Sequence, residues 1–475
     1  MNNKPTLSRL ALKRAVTLAV VSFLAGCSQM PTYQRPEAPV APNWPATTKV
    51  NPADSVKQNA PAQAWQDYFS DPALRQLIET ALSNNRDLRV ALLNIEQARA
   101  QLGIRRADQL PTVNAAMTGA RTPNSSGAIT SAYNAGLTVT AYELDFFGHV
   151  ASLKEQALAQ YLASAEAAQT VQIGLITTVA QSWLSLLADE ALLAVSRQTL
   201  DSRAESLKLV ELKLQHGAAS EFDLRNAQTL LESARVTLAQ QMRQRALDEN
   251  ALSLLLGQTI NDTQRAQWAP NKLEQLAFAE LPAGLPSDLL ARRPDIRQAE
   301  QLLVASNANI GAARAAFFPR ISLTAGAGSA SSALADLFKA GSWGWTLAPQ
   351  MVLPIFDAGR NQANLDSARA GREIAVAQYE KAIQTAFREV ADGLASRATL
   401  LEQLQAQQAL LNAESARSRL TKLRLDNGVA SQLDWLDAQR ALFAAQQALV
   451  QTRLANLQNQ IALFKTLGGG TAITP

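Results

Sequence analysis

The feature that most constrains this chain is a segment that occurs twice. The stretch LKLQHGAASEFDL, which begins at Leu212, aligns without a gap with LRLDNGVASQLDW, which begins at Leu423, at an offset of 211 positions. In each copy a glycine follows a helical pattern and a serine precedes the next one. This predicts a helix that ends at a left-handed glycine, followed by a helix that begins at a serine N-cap. Matching residues on both sides of the turn favour an internal duplication over two unrelated turns.

Other landmarks repeat in the same order. The pairs are Asp87 with Asp295 and Pro111 with Pro319, both at an offset of 208, and Gly148 with Gly359 at an offset of 211. The difference of three residues therefore falls between the proline and the glycine, where a loop would tolerate an insertion. Each half of the chain reads as a helix, two strands, a very long helix, a turn and a final helix.

The pattern predicts a mainly α fold with a β-barrel part, built from two structural repeats of long coiled-coil helices plus a β-hairpin. The first repeat is placed at 65–256, with strands at about 111–121 and 132–146 and helices at about 148–216 and 220–256. The second is placed at 287–467, with strands at about 319–329 and 343–354 and helices at about 359–427 and 431–467. An irregular linker element is expected at 257–286 and a flexible tail at 468–475.

The two long helical stretches carry the periodicity of a coiled coil. The first contains no proline, and its apolar positions step by threes and fours, as do those of the second. At a rise of 1.5 Å per residue, such a helix would be about 100 Å long. That length exceeds the thickness of a bilayer and suggests a span of the periplasm.

The strand segments alternate apolar with small or polar residues. Val113, Ala115 and Met117 share one face, and Trp343 and Trp345 do so in the second repeat. Such alternation suits a sheet between lipid and water, and it equally fits a strand of a soluble sandwich.

The N-terminus has the pattern of an export signal. Four basic residues precede a short apolar run that ends Leu24-Ala25-Gly26-Cys27, and Cys27 is the chain's only cysteine. This stretch resembles the lipobox of bacterial lipoproteins, which implies a signal peptide at 1–26 and acylation, including palmitate, at Cys27. The proline-rich segment that follows predicts an extended tether at 27–64 without a core of its own.

Composition excludes several classes of function. Without the signal's four basic residues the chain has 40 basic and 40 acidic side chains, which gives no reason to expect a nucleic-acid partner. The two histidines, His149 and His216, lie at opposite ends of one long helix, so they predict neither a metal site nor a catalytic relay. With no phosphate-binding glycine loop either, we expect no enzyme activity and no cofactor, and energy for transport would come from a partner.

The strands imply an oligomer. The mature sequence has no uninterrupted apolar run of 18 residues, so we expect no helical membrane span. Only a closed barrel remains for crossing lipid, and four strands are too few because single-chain barrels begin at about eight. Three copies would pool about twelve strands and gather the long helices into a hollow tube.

Together these features resemble the TolC-like outer-membrane factors, in particular their lipoprotein branch, the OprM/NodT-like channels. The resemblance covers the mature chain and includes the stretch GLPSDLLARRPDI from Gly284 to Ile296. It implies a homotrimeric outer-membrane channel-tunnel that works with a periplasmic adaptor, the membrane-fusion protein, and an inner-membrane RND-type pump driven by protons. The expected cargo is drugs or other small molecules. Alternatives are the exit duct of an ATP-driven type I protein secretion system and a non-conducting structural envelope lipoprotein.

The resemblance also assigns residues. Adaptor hairpins would dock at the two turns, which are formed by His216, Gly217, Ala218, Asn427, Gly428 and Val429. A periplasmic gate would be formed just before the second turn by Leu420, Arg424 and Asp426. The alternative for these charges is simple solvation, or pairing with Asp201, Glu205 and Glu211 near the first turn.

Overall fold

The structure is a computed structural model that describes residues 28–45, 64–268, 272–279 and 293–469. The predicted acylation site, Cys27, lies outside the described residues, as do the signal peptide, 46–63, 280–292 and the last six residues of the tail. Most of the Gly284–Ile296 stretch also lies outside them.

The elements follow the order expected of two repeats. In the first, α1 Trp65–Tyr68, α2 Pro72–Asn84 and α3 Arg86–Ala107 precede β1 Val113–Pro123, β2 Ile129–Leu144, α4 His149–Gln215 and α5 Glu221–Leu256. Between the repeats lie α6 Asp262–Trp268 and a 3-10 turn, Leu273–Gln275. In the second, α7 Pro294–Ala315 precedes β3 Arg320–Ser331, a 3-10 turn Leu334–Asp336, β4 Trp343–Val352, α8 Arg360–Asp426 and α9 Gln432–Thr466.

Each element begins and ends for a local reason. The Asp71 carboxylate accepts the Leu74 N–H at 2.7 Å and Pro72 occupies the first turn of α2, where its missing N–H costs nothing. The long helices α4 and α8 both have 67 residues, and each follows a glycine with positive φ, Gly148 and Gly359. A left-handed glycine lets the chain turn sharply from strand to helix without a Cβ clash.

The four strands form one antiparallel sheet in the order β1-β2-β3-β4. Two hairpins, β1–β2 and β3–β4, are joined by pairing of β2 with β3. A bulge between Val139 and Tyr142 interrupts that pairing, and Ala141 within it has a φ of 52°. Within the described part of the chain, β1 and β4 each pair on one side only, so the sheet has two free edges.

The chain divides into two compact units that do not coincide with the two repeats. One contains the N-terminal segment to Ala38, 93–165 and 297–381, and the other contains 39–92, 166–296 and 382–475. Both units draw on both repeats because equivalent elements pack across the duplication, as β2 does with β3. The repeats at 65–256 and 287–467 are thus repeats of sequence and not separate spatial domains.

The second unit holds the main hydrophobic core. Trp183 of α4 is fully buried there and meets Trp268 edge to face at 5.4 Å between ring centroids. Tyr68 stacks on Phe464 at 4.5 Å, which fixes the short α1 against α9. Helix α4 is long and apolar enough by composition to cross a membrane, but 61% of its most apolar window is buried inside the protein. A core helix of a folded protein can have the same length and apolar composition, so packing inside the protein explains the apolar character of α4.

The N-terminal segment is fixed in place more firmly than a simple tether would be. We call residues 28–38 the N-terminal strap. Arg35 makes a bidentate ion pair with Glu300 of α7, with both N···O distances 2.6 Å, and the Tyr33 hydroxyl donates to the same carboxylate at 3.1 Å. Asn307 donates to the Pro31 carbonyl at 2.7 Å. The proline-rich composition shows that the strap is extended, but not that its polar side chains match a helix surface.

Candidate functional sites at the two helical turns

The first turn joins α4 to α5 through a glycine whose backbone is in the left-handed conformation. Gly217 has a φ of 69°, and its N–H donates to the Leu214 carbonyl at 3.0 Å. The next residue, Ala218, donates to the Lys213 carbonyl at 2.7 Å. This pair of bonds is a Schellman motif, which satisfies carbonyls that the helix end would otherwise leave without donors.

The second turn repeats this geometry between α8 and α9. Gly428 has a φ of 74° and donates to the Leu425 carbonyl at 3.0 Å, while Val429 donates to the Arg424 carbonyl at 2.8 Å. The side chain of Asn427 adds a bond to the Leu423 carbonyl at 2.7 Å.

A reciprocal capping box opens the helix after each turn. The Ser220 hydroxyl accepts the Asp223 N–H at 3.2 Å, and the Asp223 carboxylate accepts the Ser220 N–H at 3.0 Å. Ser431 and Asp434 make the same bonds at 3.1 Å and 2.9 Å. The serine hydroxyl, followed by the serine N–H, lowers the pKa of each aspartate, because both donate to the ionised form.

Both turns are open to solvent in one chain. A Cβ built on Gly217 or Gly428 would meet no atom within 4 Å. His216 and Ala218 are exposed at the first turn, and Val429 is 66% exposed at the second. Glycine is therefore required here by φ and not by crowding inside the chain.

The predicted gate residues lie on the last two turns of α8. Leu420 is 50% exposed and Arg424 is exposed. Asp426 makes an ion pair with Lys422 one helical turn earlier. Nearby, Arg417 pairs with Glu414 at 3.0 Å. Within the described residues, the ion pairs of this stretch therefore join residues of the same helix rather than reaching Asp201, Glu205 or Glu211.

The sequence reasoning missed two side chains that support the turns. Lys422 lies over the Trp435 ring, 5.3 Å from its centroid, and so ties α8 to α9 across the second turn. Arg203 is buried in α4, donates to the Leu230 carbonyl at 2.9 Å and lies 5.3 Å from the Phe443 ring centroid. Burial lowers the pKa of this guanidinium. The sequence gives little signal for it, because the other buried positions nearby on this helix include Ser196 and Ser206.

Paired long helices with a small four-stranded sheet define the class of TolC-like outer-membrane channels, and solved structures show the same fold. The open-state MtrE outer membrane channel of Neisseria gonorrhoeae superposes with a TM-score of 0.84 at 38% identity, covering 94% of this chain and 98% of that one. A membrane protein from Pseudomonas aeruginosa gives a TM-score of 0.85 at 44% identity, with 94% and 98% covered.

Sequence comparison identifies the family. The model for "Outer membrane efflux protein" matches residues 77–258 and 285–469, one stretch in each repeat. The chain is 49% identical over 466 residues to the antibiotic efflux pump outer membrane protein ArpC of Pseudomonas putida, with 96% of each chain covered. It is 44% identical over 465 residues to the outer membrane protein OprJ of Pseudomonas aeruginosa, with 95% of each covered.

The chain therefore belongs to the outer membrane efflux protein family. The prediction of an outer-membrane efflux channel is confirmed at this level, and the family's function is transport and not catalysis. The comparisons do not favour the protein-secretion or structural-lipoprotein alternatives.

Proposed function

We propose that this protein is the outer-membrane exit duct of a tripartite efflux system and that it works as a homotrimer. The observation that carries the proposal is the four-stranded sheet with two free edges. An open sheet edge in hydrocarbon would leave amide and carbonyl groups without partners, at a cost of several kcal/mol for each group. A sheet of this kind can cross lipid only if copies close it into a barrel.

Three copies of the four-stranded sheet would give a barrel of twelve strands. The apolar side chains of β4 support a lipid-facing position, because Trp343 and Trp345 are both 69% exposed and Met351 is 67% exposed in the single chain. Large apolar surfaces of this kind are rare on proteins that stay in water. The long helices would then form the periplasmic tunnel below the barrel.

The substrates are proposed by analogy with the relatives. Those relatives include antibiotic, toluene and solvent efflux pump outer membrane proteins of Pseudomonas putida. We assign this duct to drugs, aromatic solvents or similar small molecules, delivered by a periplasmic adaptor from a proton-driven RND-type pump in the inner membrane. The duct itself is passive, so substrate choice rests mainly with the pump.

The two turns are the proposed adaptor-docking sites. Their glycines leave the backbone uncovered, so a partner helix can approach His216, Gly217, Ala218, Asn427, Gly428 and Val429 closely. At the other end of the sequence, acylation of Cys27 would anchor the chain to the outer membrane.

A trimer would repeat each residue before the second turn around its axis. Leu420 would then form an apolar ring, and Arg424 and Asp426 would form charged rings. Asp426 is already paired with Lys422, and the positive charge of Arg424 helps to lower the pKa of Asp434 in α9. Replacing Leu420 and Arg424 together with serine should raise single-channel conductance; an unchanged closed state would refute the gate.

Reconstitution and complementation test the function as a whole. A host that lacks its own outer-membrane efflux protein, but retains the adaptor and pump, should regain tolerance to toluene and antibiotics when this chain is expressed. The purified protein should conduct ions in planar bilayers. Conductance without restored tolerance would point to a different pump partner, whereas a folded trimer that does not conduct would refute the duct.

A further inference from the structure

A cavity of about 310 Å³ lies where the four-stranded sheet meets the two long helices, and its lining residues fall within 143–149, 315–321 and 352–361. These stretches hold the end of β2 with the start of α4, the end of α7 with the start of β3, and the end of β4 with the start of α8. All of them belong to one compact unit. The cavity is at the opposite end of both long helices from the turns, so neither the docking nor the gate proposed above involves it.

This cavity lies at the level of the membrane surface. Under the proposed function the strands cross lipid and the long helices lie in the periplasm, so the junctions between them lie among the lipid headgroups. The strap supports the same level independently. A Cβ built on Gly148 would lie 3.3 Å from the Cα of Ser28, and Gly148 directly precedes the cavity residue His149. Ser28 follows the predicted acylation site Cys27, whose lipid would have to enter the membrane close to the cavity.

Part of the lining is apolar. Phe147, from the connection between β2 and α4, stacks on Phe318, from the connection between α7 and β3, with 4.9 Å between the ring centroids. Val352 and Pro354, at the end of β4, add further apolar lining. Such a surface can pack against the glycerol and the first acyl carbons of a lipid and remove both from water.

Arg320, the first residue of β3, supplies one cation to the lining. Its Nε lies 2.7 Å from Oε2 of Glu143, and Nδ1 of His149 lies 3.0 Å from Oε1 of the same carboxylate. Both oxygens of Glu143 are therefore engaged. The side chain of Arg320 is nevertheless 68% exposed, so Glu143 holds the guanidinium in place without covering it.

Arg360, the first residue of α8, supplies a second cation. It is exposed, and its side chain makes no hydrogen bond or ion pair with the described residues. The neighbouring Asp357 carboxylate is occupied by its own helix, since it accepts the Asn361 N–H at 2.9 Å. That N–H, and more weakly Arg360, lower the pKa of Asp357. Asp145 likewise accepts the Ala151 N–H of α4 at 2.7 Å.

The lining therefore has donors to spare and acceptors that are already engaged. Glu143 and Asp145 each accept from other groups of the protein, whereas the guanidinium groups of Arg320 and Arg360 are both exposed. Two arginines on one cavity favour an anion, and the planar guanidinium matches the oxygens of a phosphate.

The first repeat has no equivalent of this site. At the offset of 208, Arg320 corresponds to Thr112 and Phe318 corresponds to Leu110. The threonine has no charge and the leucine has no ring, so we expect a single such site in each chain.

We propose that this junction cavity binds the headgroup of a phospholipid. The phosphate lies between Arg320 and Arg360, and the glycerol and first acyl carbons pack against Phe147 and Phe318. Basic pockets at a membrane surface recognise lipid phosphates in this way. The inference rests on the proposed function, because the level of the membrane follows in part from strands that cross lipid. A bound lipid bridges the two repeats, since β2 and α4 belong to the first and β3, β4 and α8 to the second.

Native mass spectrometry of the purified trimer tests the ligand. The wild-type protein should retain phosphatidylglycerol, up to one molecule per chain, under conditions that remove bulk detergent. A diacylglycerol with the same acyl chains lacks the phosphate and should be lost. Glycerol 3-phosphate lacks the acyl chains and should not displace the lipid at equal concentration. Equal retention of the diacylglycerol, or displacement by glycerol 3-phosphate, would overturn the assignment to a phospholipid.

Variants in the same measurement test the site. Arg360→Gln removes no ion pair, so it should leave the trimer intact and reduce phosphatidylglycerol retention by roughly tenfold, the scale of one charge-assisted hydrogen bond. Arg320→Gln together with Arg360→Gln should reduce retention further. Arg369→Gln with Arg372→Gln is the matched control, because these two arginines also lie on α8 but do not line the cavity.

The outcomes separate this inference from the duct. Equal retention by the cavity variants and the control would overturn the site. A wild-type trimer that conducts ions but retains no phospholipid would overturn the inference and leave the proposed duct standing. A chain that does not enter the membrane would overturn both.

Discussion

The two long hairpins share their turn geometry but differ in how much of each is packed within the chain. In α4, five buried residues precede the first turn between positions 193 and 210, namely Leu193, Ser196, Arg203, Ser206 and Val210. In the second repeat, none of the described residues from 395 to 434 is buried. Residues 395–426 belong to α8 and carry exposed leucines such as Leu401, Leu420 and Leu423, so this end of the helix packs little against the rest of the chain.

The difference separates what is encoded locally from what assembly must supply. Capping boxes and left-handed glycines act over a few residues, so both copies keep them. Burial depends on neighbours, and the second hairpin lacks them in a single chain. A second copy and an adaptor are the covers that the account assigns.

The largest expected effect comes from adding a side chain at either turn glycine. Asparagine tolerates the left-handed conformation, so Gly428→Asn should keep the cap and the trimer and yet abolish export, because it fills the surface that the adaptor contacts. Gly217→Asn should have an effect of similar size, since the two turns match. Export is read as toluene tolerance.

Gly127→Asn is the matched control for the turn variants. This glycine also has positive φ, 83°, and open space around it, but it lies in the β1–β2 turn. Normal export by Gly428→Asn would mean that the glycine acts only as a helix cap.

Two equivalent leucines test the packing contrast. Leu193 is 1% exposed, and its counterpart Leu404 is half-buried. Leu193→Ala should destabilise the protein by about 2–5 kcal/mol at any protein concentration, as core truncations do. Leu404→Ala should cost less in the monomer and should lower the thermal midpoint in a way that depends on concentration. Equal, concentration-independent losses would show that the second hairpin needs no neighbouring copy.

A buried carboxyl in the first repeat makes the folding stability depend on pH, and the second repeat has no equivalent carboxyl. Burial, and then the neighbouring Asp248, raise the pKa of Asp189 to about 7. Between the ordinary value of 3.8 and this one, the folded chain holds a proton that the unfolded chain has lost. Stability should therefore fall as pH rises across that range. The equivalent positions hold Leu400 and Asn459, which do not titrate.

Asp189→Asn should remove most of this dependence. Thermal midpoints measured at pH 5 and pH 8 should differ more for the wild-type protein than for the variant. A wild-type midpoint that rises with pH would contradict the assignment.

The smallest effect is expected at the serine caps. Ser220→Ala and Ser431→Ala should each lower the free energy of unfolding by about 0.5–2 kcal/mol. The two losses should be similar, because the variants remove matching hydrogen bonds. Circular dichroism melts of both variants would measure the two losses. A clearly larger loss in one variant would contradict the local equivalence of the turns.

The fold class could be predicted because its signals are local. The long helices were placed at about 148–216 and 359–427, and they run His149–Gln215 and Arg360–Asp426, since proline-free stretches end at glycine and serine pairs. The second strand is predicted at about 132–146 and runs Ile129–Leu144, a difference of two to three residues at each end, where strand alternation gives way to turn residues.

Contacts between residues far apart in the chain could not be predicted from the sequence. Arg35 lies 265 positions from Glu300, and nothing in the proline-rich composition connects them. The apolar seam of α8 was visible in the pattern, but the pattern cannot say that Leu401 stays exposed in one chain. The roles of the gate and docking residues could not be predicted from the sequence either, because those roles depend on other chains.

Photo-crosslinking from Val429 in living cells tests the central claim most directly. Val236 of α5 is the control, since it is 57% exposed against 66% for Val429 and lies away from both turns. The account predicts that Val429, and not Val236, captures a periplasmic adaptor encoded with a proton-driven pump, identified by mass spectrometry. Capture of an ATP-driven secretion adaptor would contradict the efflux assignment. No adaptor at either position, with expression and trimer verified, would contradict docking at the turn.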